Sequence, residues 1–184
     1  MILHPLTSQS ILCGGCAGQN ANELPTCEGA IQLAMEQTDR TLQGARCLVI
    51  GYGRIGALLA HKLRALDAEV QVSARAACDF ARIEAAGMTA LDTRRLAGKL
   101  SGFELIFNTV PAPVLGAAEL AALGPSCLII DLASLPGGIA PDTPLPTGCK
   151  LLHALSLPGR VAPRSAAQAV YETVCNILHE EGVL

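Results

Sequence analysis

The sequence predicts an α/β protein built on a doubly wound parallel sheet of about six strands. From residue 45 onward, short apolar runs alternate with stretches of helical periodicity, which is the pattern of strand–helix–strand units. The chain is 51% hydrophobic but only 3% aromatic, and such aliphatic strands suit a parallel sheet that helices cover on both faces. A length of 184 residues favours one such domain over two.

Six segments have the composition of strands. Residues 46–50 (RCLVI) form an apolar run between two glycines, and residues 69–73 (EVQVS) alternate strictly between polar and apolar. Further strands are predicted at 88–91, 103–109, 127–132 and 150–155. Because helical patterns separate these runs, the strands are expected to be parallel.

Helical periodicity occupies the intervals between the strands. Residues 54–66 (RIGALLAHKLRAL) place their apolar side chains along one stripe of a helix. Helices are also predicted at 78–86, 93–100, 112–123 and 163–179, and one at 28–39 precedes the first strand. Residues 1–24 are rich in Gly, Asn and Ser and are too short for a domain, so the predicted domain covers residues 25–184.

The charge balance argues against nucleic-acid and membrane partners. Thirteen Lys and Arg stand against 16 Asp and Glu, a net charge of -3, and no basic cluster is present to attract phosphate backbones. No window reaches the roughly 18 consecutive apolar residues of a membrane span, and the N-terminus lacks the basic start of a secretory signal. These features predict a cytoplasmic protein.

The eight cysteines are too sparse for a disulfide scaffold. Cys47 and Cys127 lie inside apolar runs, where free thiols behave as small hydrophobic groups. Cys13 and Cys16 form a CxxC that could be a redox pair or, with Cys27 and His4, a zinc site. The spacing of those four residues is irregular for a closed zinc site, so two incidental thiols in a Gly-rich loop, and no metal, are the preferred interpretation.

The strongest motif is a GxGxxG, formed by Gly51, Tyr52, Gly53, Arg54, Ile55 and Gly56. It follows an apolar strand and opens a helix, which is the context that a dinucleotide-binding loop requires. Gly51 permits the tight turn, Gly53 leaves room for the pyrophosphate, and Gly56 lets the helix lie close to the strand. The motif therefore predicts a Rossmann-type NAD(P)-binding domain, with a tight turn that binds no ligand as the alternative.

The end of the second strand bears on the choice of cofactor. An acidic residue there would hold the adenosine ribose of NAD, but this chain has Ser73, Ala74 and Arg75. A serine hydroxyl and a guanidinium suit the 2′-phosphate of NADP. NADP is therefore favoured over NAD, the alternative being that Arg75 is a solvated loop cation.

Three segments rich in Pro and Gly follow the later strands and are expected to converge on the nicotinamide side of the cleft. The predicted contacts are Asn108, Thr109, Val110 and Pro111 after the fourth strand and Leu157 and Pro158 before the last helix. The third segment, residues 131–138, follows the fifth strand. The alternative for each is an ordinary loop terminator.

The polar residues of this half are less specific. Arg160 and Arg164 are candidates for binding substrate carboxylates, because a guanidinium binds a carboxylate in bidentate fashion. His153 and Asp131 are candidates for an acid/base pair, but the preferred interpretation is that His153 is a buried residue of its strand and that Asp131 caps a neighbouring turn. His61 lies on the polar side of its helix. The residues alone identify no catalytic residue.

Together these segments resemble the cofactor-binding half of the A subunits of dipicolinate synthases, the enzymes that make the dipicolinic acid of bacterial spores. The resemblance begins near residue 24 and covers the motifs at 25–31, 51–56, 73–75, 107–111, 130–138 and 157–163. More distantly, the last loop resembles the nicotinamide loop of methylenetetrahydrofolate dehydrogenases. Residues 108–112 (NTVPA) are similar to the corresponding segment of shikimate dehydrogenases.

The resemblance implies an NAD(P)-dependent oxidation of a dihydrodipicolinate-type precursor to dipicolinate during sporulation. It also implies a partner, a flavoprotein-like B subunit, and an N-terminal domain that helps form the substrate cleft, of which residues 1–24 would be a remnant. A homo-oligomer is expected to cover apolar surface that such a domain would leave. The alternatives are a noncatalytic dinucleotide-binding module of a larger complex and a shikimate-type or hydroxyacid-type dehydrogenase domain.

Overall fold

The computed structural model describes residues 22–140 and 142–182. Its strands are β1 (Arg46–Ile50), β2 (Glu69–Ala74), β3 (Thr89–Asp92), β4 (Leu105–Asn108), β5 (Leu128–Asp131) and β6 (Lys150–His153). Its α-helices are α1 (Glu23–Gln37), α2 (Arg54–Ala65), α3 (Ala77–Ala85), α4 (Ala117–Leu120), α5 (Leu157–Val161) and α6 (Pro163–Glu180). A single 3₁₀ turn, Thr93–Arg95, follows β3. None of the helices in the described part is long and apolar enough to cross a bilayer.

All six strands pair in parallel, in the order β3-β2-β1-β4-β5-β6. The order reverses between β1 and β4, so the crevice at which doubly wound folds bind dinucleotides opens at the carboxyl ends of these two strands. The last register row crosses the whole sheet through Leu91, Ser73, Ile50, Asn108, Asp131 and His153. The predicted six-stranded, all-parallel fold with a preceding helix is therefore confirmed.

Alternate residues of each central strand enter two separate cores, because successive side chains point to opposite faces of a sheet. On one face, Val49 and Phe107 pack with α1 and α2. On the other face, Leu48 and Ile106 pack with the segments that follow β3 and β4. The central strands are buried on both sides, which explains why their sequences are continuous apolar runs.

Two predicted helices are wrong in extent. The helix expected at 93–100 is only the 3₁₀ turn, and Gly98 lies in the left-handed region (φ +74°) soon after it. The helix expected at 112–123 is reduced to α4, because the N–H groups of Val114 and Leu115 donate to the carbonyl of Gly138 instead of entering a helix. Both segments bury leucines, namely Leu96, Leu100 and Leu115. The spacing of these leucines therefore indicates burial and does not indicate a helix.

The helices at the two ends of the described chain differ in how they pack. α1 begins at Glu23, five residues before the predicted helix and two before the predicted domain boundary, and it packs on α2 and α5. The segment predicted as the last loop contains α5, a short helix that the sequence pattern did not reveal. α6 packs mainly on α5 and leaves Val170, Tyr171, Val174 and Ile177 exposed.

Candidate dinucleotide-binding site

The turn after β1 has the geometry that its glycines predict. Gly51 has a φ of +95°, and a Cβ placed on it would lie 2.6 Å from the Thr109 hydroxyl oxygen. A Cβ on Gly56 would collide with the backbone carbonyl oxygen of Gly51. These two glycines are therefore required by the close approach of α2 to the strand ends.

Gly53 has a different role, because a Cβ placed there would meet no atom within 4 Å. The residue is exposed and is the N-cap of α2. The start of α2 borders this open space, and the dipole of the helix favours an anion there. The fold alone does not require glycine at position 53, so its free space is available for a ligand.

Thr109, the residue after β4, packs against the glycine turn. Its hydroxyl and its backbone N–H both donate to the carbonyl of Ile50, each at 2.9 Å. The predicted neighbours Val110 and Pro111 continue along the same edge, Val110 half-buried and Pro111 exposed. The β1 and β4 segments predicted to contact the cofactor are thus brought together at the point of strand reversal.

A cleft of about 480 Å³ adjoins the glycine turn. Beside Gly53 to Gly56 and Thr109, it is lined by residues that sequence reasoning missed, namely Asn22, Glu23, Thr26 and Thr173. The Glu23 carboxylate lies 3.1 Å from Nε of Arg54 in an ion pair. Thr26 lies in the segment 25–31 noted above, but no motif marks Asn22, Glu23 or Thr173, because they lie at the start of α1 and in α6 and reach the turn only through packing.

Tyr52 and Ile55 of the motif lie mainly against the protein. The Tyr52 side chain is buried, with the guanidinium of Arg82 5.2 Å from the centre of its ring. This burial raises the pKa of the Tyr52 phenol. Ile55 packs at the edge of the core formed by α1 and α2. These two side chains therefore support the turn from behind.

At the end of β2 the three predicted residues differ in exposure. Ser73 is fully buried and its hydroxyl oxygen accepts a hydrogen bond of 3.0 Å from Thr93; Ala74 is also buried. Arg75 is exposed. The predicted cation for a 2′-phosphate is therefore accessible, whereas the Ser73 hydroxyl fixes the strand end to the turn after β3.

A second arginine lies beside Arg75. Nη2 of Arg94 donates to the backbone carbonyl of Arg75 at 3.3 Å, and its Nε donates to Asp92 at 3.0 Å. The hydrogen bonds from Arg94 lower the pKa of the Asp92 carboxyl. The ends of β2 and β3 thus present two guanidinium groups, of which the sequence pattern indicates only the first.

The ends of β4 and β5 carry a buried polar network. Asn108 and Asp131 are both fully buried, and the Asn108 amide nitrogen donates to Asp131 Oδ1 at 2.7 Å. The backbone N–H groups of Ala133 and Gly138 also donate to Asp131, at 3.1 and 2.7 Å. The prediction that Asp131 caps a neighbouring turn is confirmed, and Asn108 is a member of the same network.

The prediction that His153 is a buried strand residue is wrong. It is the last residue of β6, its side chain is 50% exposed, and its Nδ1 lies 3.9 Å from Asp131 Oδ2. It is exposed because β6 is an edge strand and ends at this residue. His61 is exposed on α2, as predicted.

Leu157 and Pro158 belong to α5, where Leu157 is buried and Pro158 half-buried. Arg160 and Arg164 are exposed near the junction of α5 and α6. None of the hydrogen bonds or ion pairs in the described segments joins either arginine to Asn108 or Asp131. The structure therefore places these cations on the surface but not in the network at the strand ends.

Cys13 and Cys16 lie outside the described residues. Of the two other residues weighed as zinc ligands, His4 also lies outside them, and Cys27 is buried with its thiol donating to the Ile55 carbonyl at 3.5 Å. Burial raises the pKa of the Cys27 thiol to about 12. Within residues 22–140 and 142–182, no three His, Cys, Asp or Glu side chains are grouped as a metal site would require.

The fold and the glycine turn define the class of protein, a Rossmann-type domain with a dinucleotide-binding role. Residues 40–124 match the model of a family described as "Putative NAD(P)-binding". A transhydrogenase from Sinorhizobium meliloti shares the fold, with a TM-score of 0.77 over 89% of this chain and 55% of that chain at 19% identity.

The chain resembles the A subunit of dipicolinate synthase in sequence and in structure. Over 117 residues, 64% of this chain and 39% of the relative, it is 39% identical to the A subunit from Bacillus subtilis. The crystal structure of that B. subtilis protein superposes with a TM-score of 0.84 at 37% identity, covering 89% of this chain and 55% of that chain. The crystal structure of the A subunit from Bacillus halodurans superposes with a TM-score of 0.83 at 38% identity, covering 86% of this chain and 55% of that chain. The chain thus corresponds to about half the length of these relatives.

Proposed function

We propose that residues 25–184 form the cofactor domain of an oxidoreductase like the A subunit of dipicolinate synthase. The domain would bind NADP and take part in oxidising a dihydrodipicolinate-type precursor to dipicolinate. The observation that carries the proposal is the combination of 37–39% identity to these relatives with a glycine turn whose Gly53 faces open space. NAD is the alternative cofactor.

The N–H of Gly51 donates to the Ser73 carbonyl, so the pyrophosphate would be held by backbone N–H groups at the start of α2, which needs no side chain at Gly53. Arg75 would bind the 2′-phosphate, and Arg94 lies close enough to add a second cation. Residues 108–111 and 157–158 would border the nicotinamide. The buried Ser73 would act only by fixing the end of β2.

The bound nicotinamide would supply the redox chemistry by accepting a hydride from the substrate ring. The chain's part is to orient the two reactants and to draw in a dicarboxylate, for which the exposed Arg160 and Arg164 are the proposed residues. Loss of a hydride and a proton makes the ring of the product aromatic. The chemical step therefore gains driving force from the substrate itself.

The proposed setting is the cytoplasm of a sporulating cell, and the proposed partner is a flavoprotein-like B subunit. Because the chain corresponds to about half the length of its relatives, we propose that a further domain or subunit completes the substrate cleft. A homo-oligomer that covers the apolar face of α6 is compatible with this arrangement.

Calorimetry with NADP⁺ and NAD⁺ tests the cofactor. The parent chain should bind NADP⁺ at least ~10-fold more tightly than NAD⁺. Arg75→Ala should reduce that difference while leaving NAD⁺ affinity unchanged, since one charge-assisted contact is worth about 1.5–3 kcal/mol. Arg40→Ala is the matched control, because Arg40 is an exposed arginine before β1. Equal binding of the two dinucleotides by the parent chain would contradict the choice of NADP.

Turnover separates the proposal from its main alternative, a noncatalytic dinucleotide-binding module. That alternative is favoured by the matching family model, whose description gives NAD(P) binding alone. The full chain, with and without the B subunit, would be mixed with NADP⁺ and enzymatically made dihydrodipicolinate while reduced nicotinamide is followed by absorbance. Turnover supports the oxidoreductase, binding without turnover supports the module, and absence of binding contradicts both.

A further inference from the structure

His153 and Asp131 stand side by side in the last register row of the sheet. Nδ1 of the imidazole lies 3.9 Å from Oδ2 of the carboxylate. The aspartate is fully buried and the histidine side chain is half-exposed. An accessible imidazole, that of His153, therefore lies next to a buried carboxylate, that of Asp131, at the edge of the sheet.

The carboxylate cannot turn away from this position. Oδ1 accepts hydrogen bonds from Asn108 and Ala133, and Oδ2 accepts one from the N–H of Gly138. The chain wraps closely around Oδ2, because a Cβ on Gly137 would lie 2.7 Å from it. With three donors holding it, Asp131 presents one oxygen to the imidazole in a fixed direction.

We propose that His153 is a catalytic residue, the acceptor of the proton released during substrate oxidation, and that Asp131 is its positioning residue. The inference rests on the proposed function. A carboxylate beside Nδ1 favours the tautomer with the proton on Nδ1, which leaves the lone pair of Nε2 free to accept a proton. In a sheet of this strand order, β4 to β6 carry the nicotinamide half of the dinucleotide.

Two ring hydrogens leave the dihydropyridine in this step. One C–H bond breaks and its electron pair leaves as hydride to NADP⁺, giving NADPH. The second hydrogen leaves as a proton to Nε2 of His153, and the electron pair of that bond completes the aromatic ring. The substrate loses two electrons, the dinucleotide gains them, and the imidazolium later returns its proton to water.

Stabilisation of the fold does not account for the pair. The three donors satisfy Asp131 without His153, and a separation of 3.9 Å is longer than a hydrogen bond. Catalytic hydrogen bonds are often long before substrate is bound and tighten in the complex. Loss of the imidazole therefore leaves the buried network intact, and variants of His153 should fold.

The test uses the full chain with the B subunit, NADP⁺ and dihydrodipicolinate. His153→Ala and His153→Gln should lower kcat by about 10²-fold or more, with the affinity for NADP⁺ and the KM within about twofold of the parent. Added imidazole should restore part of the rate of His153→Ala. His61→Gln, which changes an exposed histidine on α2, is the control. A kcat for His153→Ala equal to that of the parent would overturn the inference while leaving the proposed function in place.

A second measurement does not depend on turnover. In NMR spectra of the NADP⁺-loaded chain, the ring Cε1–H signal of His153, assigned by its absence in His153→Gln, should shift when dipicolinate is added, while that of His61 stays in place. Absence of turnover in the parent chain contradicts the proposed function and, with it, the catalytic role of His153. If the parent chain turns over, an unmoved His153 signal at saturating dipicolinate overturns the inference while the proposed function stands.

Discussion

At the scale of single residues, the three glycines of the turn meet three different surroundings. Gly51 is in the left-handed region and close to Thr109, and Gly56 touches the backbone of Gly51. Gly53 touches nothing. A structural requirement for glycine therefore explains two positions, and for the third we propose that a bound ligand needs the space.

This difference predicts opposite effects for two matched substitutions. Gly53→Ala should leave the melting temperature within about 2 °C of the parent and weaken NADP⁺ binding by ~10-fold or more, because the added methyl occupies the phosphate space. Gly56→Ala should lower the melting temperature itself, because its Cβ displaces the backbone of the turn. Thermal unfolding by circular dichroism and calorimetric titration measure the two quantities.

An unfolded Gly53→Ala, or one that binds NADP⁺ as tightly as the parent, would contradict this account of the turn. Gly98→Ala is not a suitable control, because Gly98 has a φ of +74°. Gly159 lies outside the turn, and a Cβ there meets nothing within 4 Å. Gly159→Ala should therefore change neither quantity.

At the scale of elements, the segment after β5 is held by hydrogen bonds to one buried side chain rather than by a helix or a strand. Asp131 accepts the N–H groups of Ala133 and Gly138, and Gly138 in turn accepts from Val114 and Leu115 of the segment after β4. The two segments are therefore tied to each other through the end of β5.

Asp131→Ala should accordingly destabilise the protein by about 3 kcal/mol, because it leaves buried N–H groups without an acceptor. For a chain of this size that corresponds to a fall in melting temperature of about 10 °C. Asp39→Ala removes an exposed carboxylate and should change stability by less than about 0.5 kcal/mol. Equal melting temperatures for the two variants would show that the network of Asp131 does not contribute to the stability of the fold.

The elements also show which sequence signals predict structure here. The sequence predicts β1 and the start of α2 to the residue, because glycines bound them on both sides. It overestimates the helices expected at 93–100 and 112–123, because buried leucines at helical spacing occur equally in turns that fold onto a sheet. The N–H groups of Val114 and Leu115 donate to the distant carbonyl of Gly138, and the local sequence cannot predict such a long-range hydrogen bond.

At the scale of the whole molecule, the cores contain thiols that water does not reach. Cys47 and Cys127 are buried on opposite faces of the sheet. Burial raises the pKa of each thiol from 9.0 to about 12. In the unfolded chain these thiols ionise near pH 9, so their contribution to stability is full below pH 9 and is lost as the pH rises toward 12.

The free energy of unfolding should therefore fall between pH 8.5 and pH 10.5, by about 2 kcal/mol for each of these thiols. Urea denaturation at the two pH values measures the fall. The double variant Cys47→Ala/Cys127→Ala should show a smaller fall than the parent, since alanine has no proton to lose. Cys78→Ala, which changes an exposed thiol, should keep the parent's pH dependence, and an identical fall in all three proteins would contradict the mechanism.

The candidate site could be predicted only where one chain segment carries it. The glycine turn and Arg75 follow directly from local sequence. Glu23, Thr173 and Arg94 come from other elements and reach the site through packing. The apolar neighbours of His153 in sequence predict a place in the core, and only the edge position of β6 shows that it faces outward.

Helix α1 touches both halves of the site. Its first residue, Glu23, pairs with Arg54 beside the glycine turn. Two turns later Gly29 lies against α5, where an added Cβ would be 2.6 Å from Val161. The helix therefore fixes the spacing between the glycine turn and α5, which in the proposed function border the two ends of the dinucleotide. A side chain at position 29 would push α5 outward, so the small size of Gly29 keeps this spacing short.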